Sequence, residues 1–389
     1  MLPQTPFYYY DTALLKATLD AIQKEIAPYP NYHVHYAMKA NANPRLLEMI
    51  QQTGWGADCV SGGEVQKAIE AGFPADKIVY AGVGKSDWEI LTALRNNIFC
   101  FNVESIPELE IINELAAREG KIARVCLRIN PDVEAHTHTH IITGMAENKF
   151  GIALKDMLQV VQLAQRLDNV SFEGLHFHIG SQITNMQDYV ALCQRINEIQ
   201  HQLHKHNIYP SVINVGGGLG IDYQSPDERP IADFKAYFKV FVQHLHLRPE
   251  QSLHFELGRA VVAQCGSLIT RVLYVKQTST KQFAIVDAGM TELIRPALYQ
   301  AKHKIINLSS RSEQMERYDV VGPICESSDV FDNDILLPLT QRGDLLSIRS
   351  AGAYGETMAS TYNCRPLPLS YTSSEVTIHR TCNKNLKTI

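Results

Sequence analysis

The sequence predicts an α/β protein, a (β/α)8 TIM-like barrel with a second, mostly β domain. Three observations lead there. Short apolar, β-branched or aromatic runs alternate with longer amphipathic stretches about eight times between residues 30 and 260. Beyond about residue 260 the texture changes to strand-like segments separated by Gly, Pro, Asn and Asp. The length, 389 residues with 45% hydrophobic and 20% charged, provides chain for about two domains. A doubly wound sheet shares the alternation, and spacing alone leaves it open.

Barrel strands are expected at 33–36, 57–60, 78–81, 98–103, 123–129, 172–179, 212–215 and 253–257. Between most of them, helical periodicity covers 44–52, 63–71, 106–118, 155–167, 186–206 and 231–246. The second domain is expected to hold strands at 267–275, 282–286, 319–321 and 344–348. Phe7-Tyr8-Tyr9-Tyr10 reads as a further strand before a helix at 12–26, and it could join the second domain's sheet. The expected division is a barrel over 28–262 and a β domain made of 1–27 and 263–389.

The net charge of -5 and the lack of a basic block argue against a nucleic-acid partner. No apolar run approaches the roughly 18–20 residues of a membrane span. The amino terminus has no basic stretch followed by an apolar one, so no secretory signal is expected. Cys59, Cys100, Cys126, Cys193, Cys265, Cys325, Cys364 and Cys382 form no C-x-x-C pair, and several lie in apolar runs. They read as reduced, buried thiols of a cytoplasmic protein.

The chemistry-bearing residues gather at expected strand ends. Lys39, in Tyr36-Ala37-Met38-Lys39-Ala40-Asn41, follows the first barrel strand. That position lies at the C-terminal mouth of a barrel, where a lysine amine can form a Schiff base with a carbonyl. Alone it would read as a solvated loop lysine. Gly216-Gly217-Gly218-Leu219-Gly220 follows the seventh strand, where barrel phosphate sites recur, although a plain tight turn fits as well. Glu256-Leu257-Gly258-Arg259 ends the eighth strand and offers a carboxylate for a protonated ring nitrogen, or a structural ion pair. His176-Phe177-His178-Ile179-Gly180-Ser181 ends the sixth. Its two histidines could be metal ligands, but His178 stacking on a ring and Ser181 donating to phosphate are preferred, with His176 a core histidine.

Together these residues resemble a fold-type III pyridoxal-phosphate enzyme of the alanine-racemase and ornithine-decarboxylase group, from Phe7 to about Pro368. The resemblance implies that Lys39 holds pyridoxal 5'-phosphate through its amine. It also implies that Asp58 supports a ring-stacking His178 and that Glu256 keeps the pyridine nitrogen protonated. Phosphate binding falls to Ser181, Gly217, Gly218 and Tyr354.

Three later motifs narrow the family. Gly322-Pro323-Ile324-Cys325-Glu326-Ser327-Ser328-Asp329 resembles the C-E-S-x-D motif of diaminopimelate decarboxylases, Arg295-Pro296-Ala297-Leu298-Tyr299 their R-P-A-L-Y segment, and Ala351-Gly352-Ala353-Tyr354-Gly355 their A-G-A-Y-G segment. In that family the Cys-Glu pair serves the partner subunit's site, so a homodimer with shared sites is implied. The implied reaction is decarboxylation of meso-2,6-diaminopimelate to L-lysine. Arginine forks match carboxylates, which suits Arg259 or Arg295 to the distal carboxylate. Tyr299 and Tyr354 would add substrate contacts, and Glu326 would receive the distal ammonium. Cys325 or Lys39 would return the proton after CO2 leaves.

A sister decarboxylase for carboxynorspermidine or a basic amino acid is the alternative, against which the C-E-S-x-D and R-P-A-L-Y segments weigh. A non-catalytic cofactor carrier of single-barrel type would lack the β domain, and a pseudo-enzyme would be expected to lack Lys39 or Cys325. Two features depart from a simple match. Leu257 stands where the family usually has proline, which removes no functional group. The His136-Thr137-His138-Thr139-His140 stretch could suggest a metal. The following Thr143-Gly144 and Lys149-Phe150-Gly151-Ile152 resemble the family's loop after strand five instead, so no metal is expected.

Overall fold

The computed structural model describes residues 2–133 and 149–378. The histidine-rich stretch 136–140, residues 143–144 and Cys382 lie outside the described residues. The chain divides into two compact units, one of Leu19–Gly220 with Asp233–Gly258, the other of Met1–Thr18, Ile221–Ala232 and Arg259–Ile389. The divisions thus fall at 18/19 and 258/259, where the sequence placed them at 27/28 and 262/263. Residues 221–232, expected within the barrel, group with the second unit.

The first unit is a closed parallel barrel. Its strands are Tyr32–Ala37, Gly56–Cys59, Ile78–Tyr80, Cys100–Val103, Ala123–Asn130, Val170–His176, Val212–Asn214 and Ser252–Leu257. The Ser252–Leu257 strand pairs with Tyr32–Ala37, and Cys100–Val103 pairs with Ala123–Asn130, so the ring has no open edge. That closure decides against the doubly wound sheet. A two-residue strand, Ile152–Ala153, adds to Ala123–Asn130.

Local chemistry sets the helices. Asn43 accepts from Arg45 N and precedes Pro44 at the start of Pro44–Gln51, while Ser61 and Ser105 cap Gly62–Glu70 and Ile106–Arg118. Leu46, Leu47 and Ile50 of the first of these are fully buried, each worth about 1.5–3 kcal/mol of apolar burial. The helix Asp87–Arg95 is additional to the sequence reading. It starts with a capping box of Ser86 and Glu89, whose carboxylate accepts from Ser86 N at 3.0 Å.

The polar residues of the strand ends are buried as well. Asp58, Asn102, Glu104, Arg128, His176, Asn214 and Glu256 are all less than 9% exposed. Buried polar groups require partners, so this end of the barrel is organised by hydrogen bonds.

Among the described residues, the second unit is built on an eight-stranded sheet. The path runs Ile305–Asn307, Leu345–Ile348, Gly266–Gln277, Gln282–Val286, Met315–Val321 and Val330–Pro338. Phe7–Tyr10 does join this sheet, antiparallel to Gly266–Gln277 and parallel to Leu369–Thr372. Its alternation explains why. Phe7 and Tyr9 enter an apolar cluster with Ile269, Ile306, Leu308, Leu345 and Ile378. Tyr8 and Tyr10 carry hydroxyls to polar partners, donating to Glu292 O at 2.6 Å and Glu356 Oε2 at 2.5 Å.

Candidate active site

In the barrel unit, the strand Tyr32–Ala37 runs into a short turn, Met38–Ala40, that carries Lys39. Ala37 is in register with Asp58 on the neighbouring strand. Lys39 Nζ donates to Asp58 Oδ2 at 2.9 Å. Asp58 is fully buried, and its acidity shifts to about 7: burial is the main cause, the charge of Glu256 adds, and Lys39 pulls the other way. The sequence expectation paired Asp58 with His178; the contact observed for Asp58 is with Lys39.

Glu256 sits near the end of the last strand in a cage of donors. Asn102 Nδ2 and Asn214 Nδ2 reach its Oε1 at 3.0 and 2.8 Å, and His176 Nε2 lies 3.2 Å from Oε2. Burial would raise its pKa, but His176 by charge and hydrogen bond, then Lys39 and His178, outweigh burial and hold it far below the usual carboxylate range. The group is therefore an anion. His176 is the buried histidine that the sequence suggested, yet it also serves as a partner of Glu256.

His178 receives a hydrogen bond at Nδ1 from Gly217 N, at 3.3 Å. Burial first, then the charges of Arg128 and Lys39, push its pKa well down, so its ring is neutral. The Ser181 loop runs beside the glycine loop through a bridge between Ile183 and Leu219. Ile183 N donates to Gly218 O, and Gly220 N to Ile183 O, both at 2.9 Å. Gly217 has no room for a side chain, because a Cβ would lie 1.9 Å from Glu256 O. Gly218 has φ of +103°, a conformation that favours glycine.

These groups fit pyridoxal phosphate. An amine at Lys39 suits its carbonyl, the Glu256 anion a protonated ring nitrogen, and the glycine and Ser181 loops its phosphate. A carboxylate accepts about four hydrogen bonds, so Glu256 has capacity beyond its cage. Asp58 Oδ1, buried and without a hydrogen-bond partner among the described residues, matches a polar ligand beside it. Among the described residues no group of His, Cys, Asp and Glu is arranged to hold a metal.

The second unit holds the remaining predicted residues. Arg259 opens the short helix Arg259–Val262 and Arg295 the helix Arg295–Tyr299. Arg259 NH1 donates to Tyr223 OH at 2.7 Å, and its guanidinium lies 4.8 Å from the ring centre of Tyr354. Arg295 stacks on the other resident of this cluster, with its guanidinium 4.8 Å from the Tyr223 ring centre. Tyr299 is among the groups whose charge raises the pKa of Arg259 against the effect of burial. Tyr354 holds a left-handed φ of +56° in the A-G-A-Y-G segment.

Cys325 and Glu326 lie in a separate loop, braced by the last residue of their motif. Asp329 Oδ1 accepts from Met290 N at 2.6 Å and its Oδ2 from Ile324 N at 2.7 Å. Glu326 accepts from Tyr362 OH at 2.6 Å, and Cys325 N donates to Asn363 Oδ1 at 3.3 Å. Both Cys325 and Cys364 are exposed, so the expectation of buried thiols holds for Cys59, Cys100, Cys126, Cys193 and Cys265 and not for Cys364. Sequence reasoning missed Asn102, Asn214, Tyr223, His303 and Tyr362. For the two asparagines the available signal was a polar residue inside an otherwise apolar strand, CFNV and VIN.

The fold and the lysine, carboxylate and glycine-loop constellation define a pyridoxal-dependent decarboxylase of the barrel type. The profile of the family described as pyridoxal-dependent decarboxylase, pyridoxal binding domain, matches residues 13–263. The chain is 64% identical over 96% of its length to a diaminopimelate decarboxylase of Bacteroides thetaiotaomicron, 96% of which is covered. It is 44% identical to that of Vibrio cholerae, with 93% of this chain and 86% of the relative covered. The crystal structure of diaminopimelate decarboxylase from Helicobacter pylori complexed with L-lysine superposes with a TM-score of 0.89 at 38% identity, over 99% of this chain and 93% of that one. The chain belongs to the diaminopimelate decarboxylase family.

Proposed function

We propose that the protein decarboxylates meso-2,6-diaminopimelate to L-lysine and CO2, the closing step of lysine biosynthesis. The observation that carries this reading is the pair of buried guanidiniums, Arg259 and Arg295, in one aromatic cluster. A substrate that loses one carboxylate and keeps another needs such a receptor for the one it keeps. Relatives named diaminopimelate decarboxylase support the same choice.

Lys39 would hold pyridoxal phosphate, with His178 against its ring and Ser181, Gly217, Gly218 and Tyr354 at its phosphate. When bound, that cofactor supplies a sink for the electron pair left as CO2 departs. Glu256, kept anionic by its cage, would accept a hydrogen bond from the ring nitrogen and so hold a proton there. Asp58, which accepts from Lys39 Nζ at 2.9 Å, would orient that amine. Arg259 and Arg295, with Tyr299 and Tyr354, take the distal carboxylate, and Glu326 takes the distal ammonium. Cys325 or Lys39 returns a proton to the former α-carbon.

Cys325 and Glu326 would act in the site of a second copy of the chain in a homodimer, which their exposure in the single chain supports. A working thiol at Cys325 would have to stay reduced, which supports a cytoplasmic location. Among the described residues no helix is long and apolar enough to cross a membrane.

The test is an assay of purified protein with added pyridoxal phosphate and meso-2,6-diaminopimelate, following CO2 and lysine together. Equimolar release of both is expected. Turnover of carboxynorspermidine with none of diaminopimelate would replace this substrate by the sister one.

A further inference from the structure

We infer that Tyr223 and His303 are positioning residues that hold Arg259 and Arg295 as a preformed, still-charged receptor for the substrate's second carboxylate. The inference rests on the reading above and deepens it. Arg295 is only 5% exposed and has no carboxylate partner among the described residues. Its NH1 donates to His303 Nε2 at 2.9 Å, and its Nε is buried without a hydrogen-bond partner. A buried cation without an anion is costly, which is the condition of a receptor waiting for one. Burial, and after it the charge of Arg259, work against Arg295's proton, with Tyr223 opposing them.

The choice of histidine is informative. His303 Nδ1 lies 2.9 Å from Arg349 O, an acceptor, so Nδ1 carries the proton and Nε2 accepts from Arg295. Burial, then the Arg295 charge, drive its pKa down to about 3, so the ring stays neutral. A neutral acceptor fixes the guanidinium in direction without cancelling its charge. A carboxylate there would do both and would compete with the substrate.

Tyr223 does the corresponding work between the two arginines. Its hydroxyl accepts from Arg259, and its ring centre lies 4.8 Å from the Arg295 guanidinium and 6.0 Å from that of Arg259. Cation–π attraction offsets part of the repulsion between two neighbouring cations. The His303 ring packs edge-on against Tyr223, with centres 5.0 Å apart at 76°, so both supports are one packed unit.

The experiment uses the holoprotein and four measurements on each variant: KM and kcat for meso-2,6-diaminopimelate, the calorimetric affinity for pimelate as a dicarboxylate that cannot react, and the thermal midpoint. His303→Glu is expected to raise KM at least about tenfold and to weaken pimelate similarly, with kcat within about threefold and no loss of thermal midpoint. His303→Gln, which keeps a neutral acceptor, is expected to stay within about threefold of the parent in KM. An unchanged KM and pimelate affinity in His303→Glu overturns the inference. So does an equal fall of kcat, affinity and midpoint in both variants, which marks a packing role alone. If His303→Glu does not fold, Tyr223→Phe decides: KM raised about three- to tenfold at constant kcat supports the receptor, and an unchanged KM sinks it. A parent inactive on diaminopimelate whose pimelate affinity still falls in His303→Glu removes the substrate reading and keeps the receptor. An active parent with an indifferent His303→Glu does the reverse.

Discussion

Asn214 Nδ2 donates to Glu256 Oε1 at 2.8 Å, while Asn214 Oδ1 accepts from Gly216 N at 2.9 Å. One amide therefore ties the buried anion to the glycine loop, and the two bonds fix which way the amide faces. A flipped amide would set its NH2 against Gly216 N–H and its oxygen against a carboxylate. The Glu256 anion and the glycine loop, proposed above to meet the ring nitrogen and the phosphate, are thus coupled through one side chain with no acid–base chemistry of its own.

Removing that tie should be felt in catalysis. A hydrogen bond to a charged group is worth about 1.5–3 kcal/mol, so Asn214→Ala is expected to lower kcat/KM about ten- to a hundredfold. Asn214→Asp should be worse, because it sets a second carboxylate against Glu256 and has no donor for it. Steady-state kinetics of both variants provide the check, and parental activity in Asn214→Asp would remove the role.

The barrel strands were legible because parallel strands buried on both faces read as apolar runs, and every expected run overlaps an observed strand. The strand at 282–286 and the helices at 12–26 and 106–118 were legible to the residue. The strand Val330–Pro338 was not, because its sequence VFDNDILLP carries charges and its middle is exposed. Leu369–Thr372 escaped for another reason: its partner is Phe7–Tyr10, at the far end of the chain. Lys39, Glu256 and the glycines were legible from their places at strand ends. Asn102 and Asn214 were not, because their meaning arises only where two distant strands converge on Glu256.

Lys39 and Asp58 make a prediction about pH and stability in the cofactor-free protein. The folded pKa of Asp58, about 7, lies above its unfolded value of 3.8. An acid raised on folding keeps its proton in the folded state after the unfolded chain has lost it, so its contribution falls as pH rises through that window. Glu256, depressed on folding, behaves oppositely: its contribution is present above 4.5 and lost as pH drops below it. Lys39→Met removes a cation that lowers Asp58, so its pKa should climb further. The variant's thermal midpoint should therefore fall below the parent's by more at about pH 8 than at about pH 5. An equal deficit at both would mean that Asp58 does not titrate as assigned.

Gly217 separates backbone demand from ligand demand. A Cβ there would meet Glu256 O at 1.9 Å, so even Gly217→Ala must push the loop away from the last strand. Such overpacking typically costs about 1–3 kcal/mol. The loop shift should also weaken pyridoxal phosphate, read as a raised dissociation constant in fluorescence titration. A variant with a lowered midpoint and unaltered cofactor affinity would show that the glycine serves packing alone.

Tyr362 and Glu326 give the opposite combination, an effect on substrate without one on stability. Tyr362 OH donates to Glu326 Oε1 at 2.6 Å, and Tyr362 is 48% exposed. Exposed polar pairs contribute little to folding, so Tyr362→Phe should leave the thermal midpoint where it is. The hydroxyl does restrict where the Glu326 carboxylate points. If Glu326 receives the distal ammonium, freeing it should raise KM for meso-2,6-diaminopimelate a few-fold, about three to ten, with kcat nearly constant. Glu326→Gln should raise KM further, since it removes the charge as well as the orientation. A Tyr362→Phe enzyme with parental KM beside a strongly impaired Glu326→Gln would mean that the carboxylate acts without help from the tyrosine.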